Sequence, residues 1–175
     1  MNVARKKKPL IADRAKIPAE RPGQPGGRRD TNRKERTKAL ADASLALFLE
    51  RGIEAVTIED ITTKAGVAKG SFYRYFEDKP DLVDALLGPL TERVREAFAA
   101  CERALAGVKA DESLTAPYMT LAMALTQVVL EDGDVIRLYL QESRAPAVGA
   151  RMPIANLARE VRDGAIALAC AAAEG

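Results

Sequence analysis

Residues 57–79 read TIEDITTKAGVAKGSFYRYFEDK, and the fold turns on how this stretch is divided. Thr57 stands three residues before Asp60, a short-carboxylate form of the box that closes a helix N-terminus, and Gly66 supplies a stop about two turns later. A second helix, KGSFYRYF, is expected to begin after Val67-Ala68. Two short helices joined by a tight turn that contains glycine are the sequence signature of a helix-turn-helix. Phe72 and Phe76 lie four residues apart, so both can face a core with Ile58, Ile61 and Val67. Lys69, Gly70, Ser71, Tyr73 and Arg74 are then left near the outer face, with charge, hydroxyls and a ring directed outward.

Upstream, TNRKERTKALADASLALFLERG (31–52) puts Leu40, Ala43, Leu47 and Phe48 on one helical stripe and ends at Gly52. Downstream, Asp78-Lys79-Pro80-Asp81 reads as a capped start with proline in the first turn, leading into a long helix to about Gly107. ADES (110–113) opens a loop, and a helix is expected from about Leu114 to Glu131, with Pro117 near its regular start. The EDGD cluster breaks the chain, Asp134 is expected to cap a short helix through VIRLYLQES, and Ala145-Pro146 ends it. A last helix should run from about Pro153 into the alanine-rich C-terminus. No strand-like alternation or internal repeat is found. The expected class is all-α: a three-helix head over residues 31–79, followed by a helical bundle over 80–175.

Composition narrows the function. With 175 residues and 47% apolar content, the chain can bury a sizeable core. It contains no histidine, which removes the usual general base near neutral pH and the commonest metal ligand. Lacking also a phosphate-cradling loop, the sequence gives no support to an enzyme, and no cofactor or metal is expected. Cys101 and Cys170 lie in apolar surroundings without a CxxC pair; both read as packing residues, with a redox sensor as the alternative. No apolar run suits a membrane span or a secretory signal, so the expected compartment is the cytoplasm. Residues 1–38 carry thirteen Lys/Arg against four Asp/Glu, whereas 39–175 carry fourteen against twenty-one. Residues 1–30, broken by Pro and Gly, read as a disordered basic arm suited to a polyanion or simply to solvent.

The stretch ALADASLALFLERGIEAVTIEDITTKAGVAKGSFYRYFEDKPDLVDALL, residues 39–87, resembles the DNA-binding region of TetR (tetracycline repressor) family regulators. Three features carry the resemblance at fixed spacing: the LF-x-x-x-G end of the first helix, the T-x-x-x-I-x-x-x-AGV second helix and turn, and the KGSFYRYFEDKPDL block. It implies base or groove contacts from Lys69, Ser71, Tyr73 and Arg74, with Gly70 allowing close approach, and phosphate contacts from Thr57, Tyr75 and Lys79. For Tyr75 core packing is an equal reading, and Lys79 can also be a plain solvated lysine. Ala68 departs from the serine that often caps the reading helix, and Thr62 stands where the family usually has alanine.

For residues 80–175 the resemblance is architectural. It implies dimerisation and a pocket for a small-molecule effector, with Phe98, Cys101, Tyr118, Met119, Met123, Gln127 and Tyr139 as candidate lining residues; ordinary core packing is the competing reading of that stripe. Family members usually continue with two further long helices, so the resemblance implies a chain truncated at its C-terminus or an unusually short regulator. The resulting expectation is a homodimeric repressor that binds a palindromic double-stranded operator and is released by an effector. The alternative is a helical interaction bundle whose head no longer serves DNA.

Overall fold

In a computed structural model, which describes residues 27–108 and 113–174, the chain forms seven α-helices and one 3-10 turn, with no strand among the described residues. The expected basic arm falls almost wholly outside the described residues, as does most of the ADES loop. Helix α1 (Arg28–Arg51) begins three residues before the expected boundary and stops where Gly52 takes a positive φ of 80°. Its buried stripe is Leu40, Ala41, Ala43, Leu45, Leu47 and Phe48, with Ser44 satisfied by donating to the Ala41 carbonyl at 2.8 Å.

Helix α2 (Ile58–Lys64) and the single-turn α3 (Lys69–Phe72) follow, separated by Gly66 at φ 67°. Helix α3 is shorter than the KGSFYRYF reading. After Phe72 the Arg74 and Tyr75 amides reach back three residues, to Ser71 at 3.3 Å and Phe72 at 2.9 Å, while the Phe76 amide reaches back four, to Phe72 at 3.0 Å. Phe72 and Phe76 both face inward, their ring centroids 5.6 Å apart. Helix α4 (Lys79–Leu105) then starts as expected: Asp78 Oδ1 accepts from the Asp81 amide at 2.8 Å, and Pro80 occupies the first turn. It continues through Pro89, where flanking Leu86, Leu87 and Leu90 are all buried and offset the lost backbone bond.

The body packs on α4 with α5 (Thr115–Glu131), α6 (Gly133–Glu142) and, after a 3-10 turn at Gly149–Arg151, α7 (Met152–Glu174). Asp134 does not cap α6. The Asp132 backbone makes the turn (φ −116°, ψ 31°) and its carboxylate pairs with Arg93 of α4, so α6 opens at Gly133 and Asp134 falls in the first turn beside the positive dipole end. One apolar cluster runs without interruption from Leu40, Phe48 and Phe72 of the head, through Leu82 and Leu86, to Leu138, Ile154 and Leu157 of the body. Head and body therefore share a core, with α4 as the common spine.

Candidate nucleic-acid interface

The head is positioned by its caps. The Asp60 amide donates to Thr57 Oγ1 at 3.1 Å, while the Thr57 amide and hydroxyl donate to Asp60 Oδ2 at 2.9 and 2.7 Å. These bonds, the amide's first, hold the Asp60 carboxyl below the usual carboxylate range, with a smaller contribution from Arg51. The Thr57 hydroxyl is thus engaged within the fold. Thr62 is buried and donates to the Glu59 carbonyl at 3.1 Å, which satisfies the hydroxyl inside the helix pair. Ala68 supplies no side-chain cap to α3.

With Phe72 and Phe76 buried, the winding of this segment settles where the remaining side chains lie. Tyr73 is 56% exposed, its ring set edge-on against Phe72 with centroids 5.5 Å apart. Arg74 is exposed and makes no ion pair among the described residues. Lys69 and Gly70 are exposed and Ser71 half-buried. Lys69 Nζ donates to Glu59 Oε2 of α2 at 3.0 Å, and this bond raises the lysine above its ordinary value. The structure therefore leaves Lys69, Gly70, Tyr73 and Arg74 exposed, with Ser71 half-buried between them.

Tyr75 and Lys79 are placed differently. Tyr75 is half-buried and its ring packs against the core. Lys79 Nζ donates to the Ile53, Glu54 and Val56 carbonyls at 2.9, 3.3 and 3.0 Å. All three ammonium protons are directed at the loop between α1 and α2, so the lysine clamps that loop against the start of α4.

The seven candidate effector-lining residues do not converge. Phe98, at the edge of both apolar clusters, lies so close to Gly164 of α7 that a Cβ there would come within 2.7 Å of its ring. Cys101 is buried with Leu105 and Leu168; burial pushes its thiol up, which disfavours the reactive thiolate. Tyr139 packs into the main core, while Tyr118, Met119 and Met123 are exposed and Gln127 bonds to Glu131 on the surface of α5. A cleft of about 440 Å³ lies elsewhere, between the end of α6 and the first half of α7, with Glu142, Arg151, Arg159 and Arg162 in its wall.

Sequence reasoning also missed the joint beside that cleft. Glu142, only 4% exposed, accepts from the Ile53 amide at 3.2 Å and from Arg151 Nε at 2.7 Å; Gln141 donates to the Phe48 carbonyl at 3.0 Å. Burial alone would raise the Glu142 pKa, but the bonds from Arg151, Ile53 and Gln141 prevail and leave it lowered. A lone glutamate near a helix end is ordinarily solvated, so no sequence signal marked it.

Residues 40–86 match the family model for bacterial regulatory proteins of the tetR family. The HTH-type transcriptional regulator BetI of Cronobacter sakazakii is 37% identical over 81 residues, 46% of this chain and 40% of that protein. The HTH-type transcriptional repressor BepR of Brucella suis biovar 1 is 27% identical over 136 residues, 77% of this chain and 62% of its own length. The chain thus spans about half the length of these relatives. A solved TetR-family transcription regulator from Marinobacter aquaeolei VT8 superposes with a TM-score of 0.46 at 18% identity, over 77% of this chain and 70% of that one. At that level the likeness decides nothing about the site.

Proposed function

We propose that this chain, whose residues 40–86 match the family model for bacterial regulatory proteins of the tetR family, is a DNA-binding transcriptional regulator whose α2–α3 unit enters the major groove. One observation carries the reading: with Phe72 and Phe76 buried, Lys69, Tyr73 and Arg74 are left exposed. Arg74 offers a guanidinium for bidentate recognition of guanine, worth about 1–3 kcal/mol of discrimination. Lys69 supplies charge for phosphate once it exchanges Glu59 for the duplex, and Ser71 and Tyr73 add donors to phosphate or base edges. Gly70, without a side chain, allows the backbone to come close. Thr57, Tyr75 and Lys79 serve this face chiefly by holding it, and contacts to flanking phosphates are expected to be secondary to that role.

Two such heads read a near-palindromic operator as a homodimer, in the cytoplasm, and a small-molecule effector shifts the population toward a spacing that no longer fits the DNA. Repression is the favoured sign because BepR and other relatives are named repressors. The test is selection of bound duplexes from a random pool at two salt concentrations. A palindromic motif is expected; enrichment without any motif contradicts the reading and favours an interaction bundle.

A further inference from the structure

The cleft between α6 and α7 combines features that point to a ligand. Its wall carries three guanidinium groups, Arg151, Arg159 and Arg162, against one carboxylate, Glu142. Arg159 and Arg162 stand three residues apart on α7, and Ala155 and Ala158 share that side of the helix. Arg159 Nη1 donates to the neutral Asn156 Oδ1 at 3.2 Å and the guanidinium also feels the neighbouring Glu160 carboxylate, while Arg162 pairs with its neighbour Asp163, an exposed contact of small worth. Both can turn donors to an incoming anion. Apart from Ser143, the rest of the wall is apolar, formed by the methyl groups of Ala145, Ala147, Ala155 and Ala158 with Ile154. Excess positive charge beside a small-residue apolar wall matches a carboxylate on a short hydrocarbon chain.

The cleft also touches the joint between head and body. Arg151 already binds a carboxylate, that of Glu142, at 2.7 Å, and the same Glu142 accepts from the Ile53 amide. Ile53 in turn presents its carbonyl to Lys79 in the loop that leads into α2. We propose that this cleft binds a small organic carboxylate with a short hydrocarbon tail, and that the bound carboxylate shares Arg151 and so loosens the Glu142 bridge to the head. The second clause rests on the regulator reading above; the first does not.

Titration calorimetry of the full chain with hexanoate tests the site, with hexanamide as the uncharged homologue and acetate as the tail-less one. Hexanoate is expected to bind saturably, with hexanamide, acetate and the Arg159→Ala and Arg162→Ala variants each costing about tenfold, the worth of one charge-assisted contact or a few buried methylenes. Both arginines are exposed, and circular dichroism confirms that the variants fold. Equal binding of hexanoate and hexanamide, or binding unmoved by both substitutions, overturns the site. Affinity for the selected duplex, measured with and without saturating hexanoate, tests the coupling: weaker binding is expected, and unchanged affinity overturns that clause while leaving the site. If the chain binds no duplex at all, the regulator reading falls, and calorimetry still decides the cleft.

Discussion

The α2–α3 unit and helix α5 use apolar residues in opposite ways. In the head the large apolar residues Ile53, Val56, Ile61, Phe72 and Phe76 are buried, and what remains outside is mostly polar. Along α5 only Pro117 and Val128 are buried, while Tyr118, Met119, Met123, Val129 and Leu130 are exposed. The difference teaches that orientation in the head is over-determined: two caps, a glycine turn and two phenylalanines fix which side chains face outward. Helix α5 packs through one stripe, Pro117, Leu121, Leu125 and Val128, but its other sides are apolar as well, so its sequence marks that face less sharply.

Phe72→Ala should break this contrast most severely, because it empties a fully buried site where helix pair and spine meet; a loss of about 3–5 kcal/mol in chemical denaturation is expected. Met123→Ala, at a 69% exposed position, should stay within about 0.5 kcal/mol. Comparable losses from the two would show that the head is no more tightly specified than α5.

Glu142→Ala should cost about 2–3 kcal/mol, since it strands the Ile53 amide and the largely buried Arg151 guanidinium together. The same carboxylate sets an acid limit. Its folded pKa is lowered, so its contribution is complete above the ordinary glutamate value of about 4.3 and is lost as pH falls through the lower folded value. Acid titration of wild type and variant should converge in that window; parallel curves would show that Glu142 does not couple to folding.

Lys79→Met separates clamp from phosphate contact. The clamp predicts a loss of about 1.5–3 kcal/mol of stability with the salt slope of DNA binding unchanged. A direct phosphate contact predicts a slope smaller by about one with stability retained. A small effect on binding belongs to Glu59→Gln, which releases Lys69 from its exposed partner and removes a negative charge beside it. A gain of about two- to fivefold in DNA affinity at low salt, vanishing at high salt, is expected; no gain would mean that Lys69 does not approach phosphate.

Much of the head was legible because its signals are local: the Thr57–Asp60 box, Gly66, the Phe72/Phe76 spacing and the Asp78 cap each depend on residues within one turn. The length of α3 was not, since regular winding stops at Phe72 and the Arg74 and Tyr75 amides bond three residues back, a departure that the four-residue spacing of Phe72 and Phe76 does not signal. Asp134 misled because the chain turns two residues earlier, at Asp132, whose backbone opens α6 without a side-chain cap. Glu142 and Arg151 acquire their roles only where α6 and the 3-10 turn meet the loop after α1, and Lys79 only where α4 meets that loop. The body's methionines and aromatics suggested a pocket by type alone, and type does not say which of them share a cavity.

The outward face of α3 is tested most directly by base-by-base affinity on the selected duplex, comparing wild type with Arg74→Ala. Recognition through Arg74 predicts that the penalty for replacing one guanine per half-site, about 1–3 kcal/mol in the wild type, disappears in the variant while other positions keep theirs. A uniform weakening at every position, or an unchanged profile, would contradict the placement of Arg74 against a base edge.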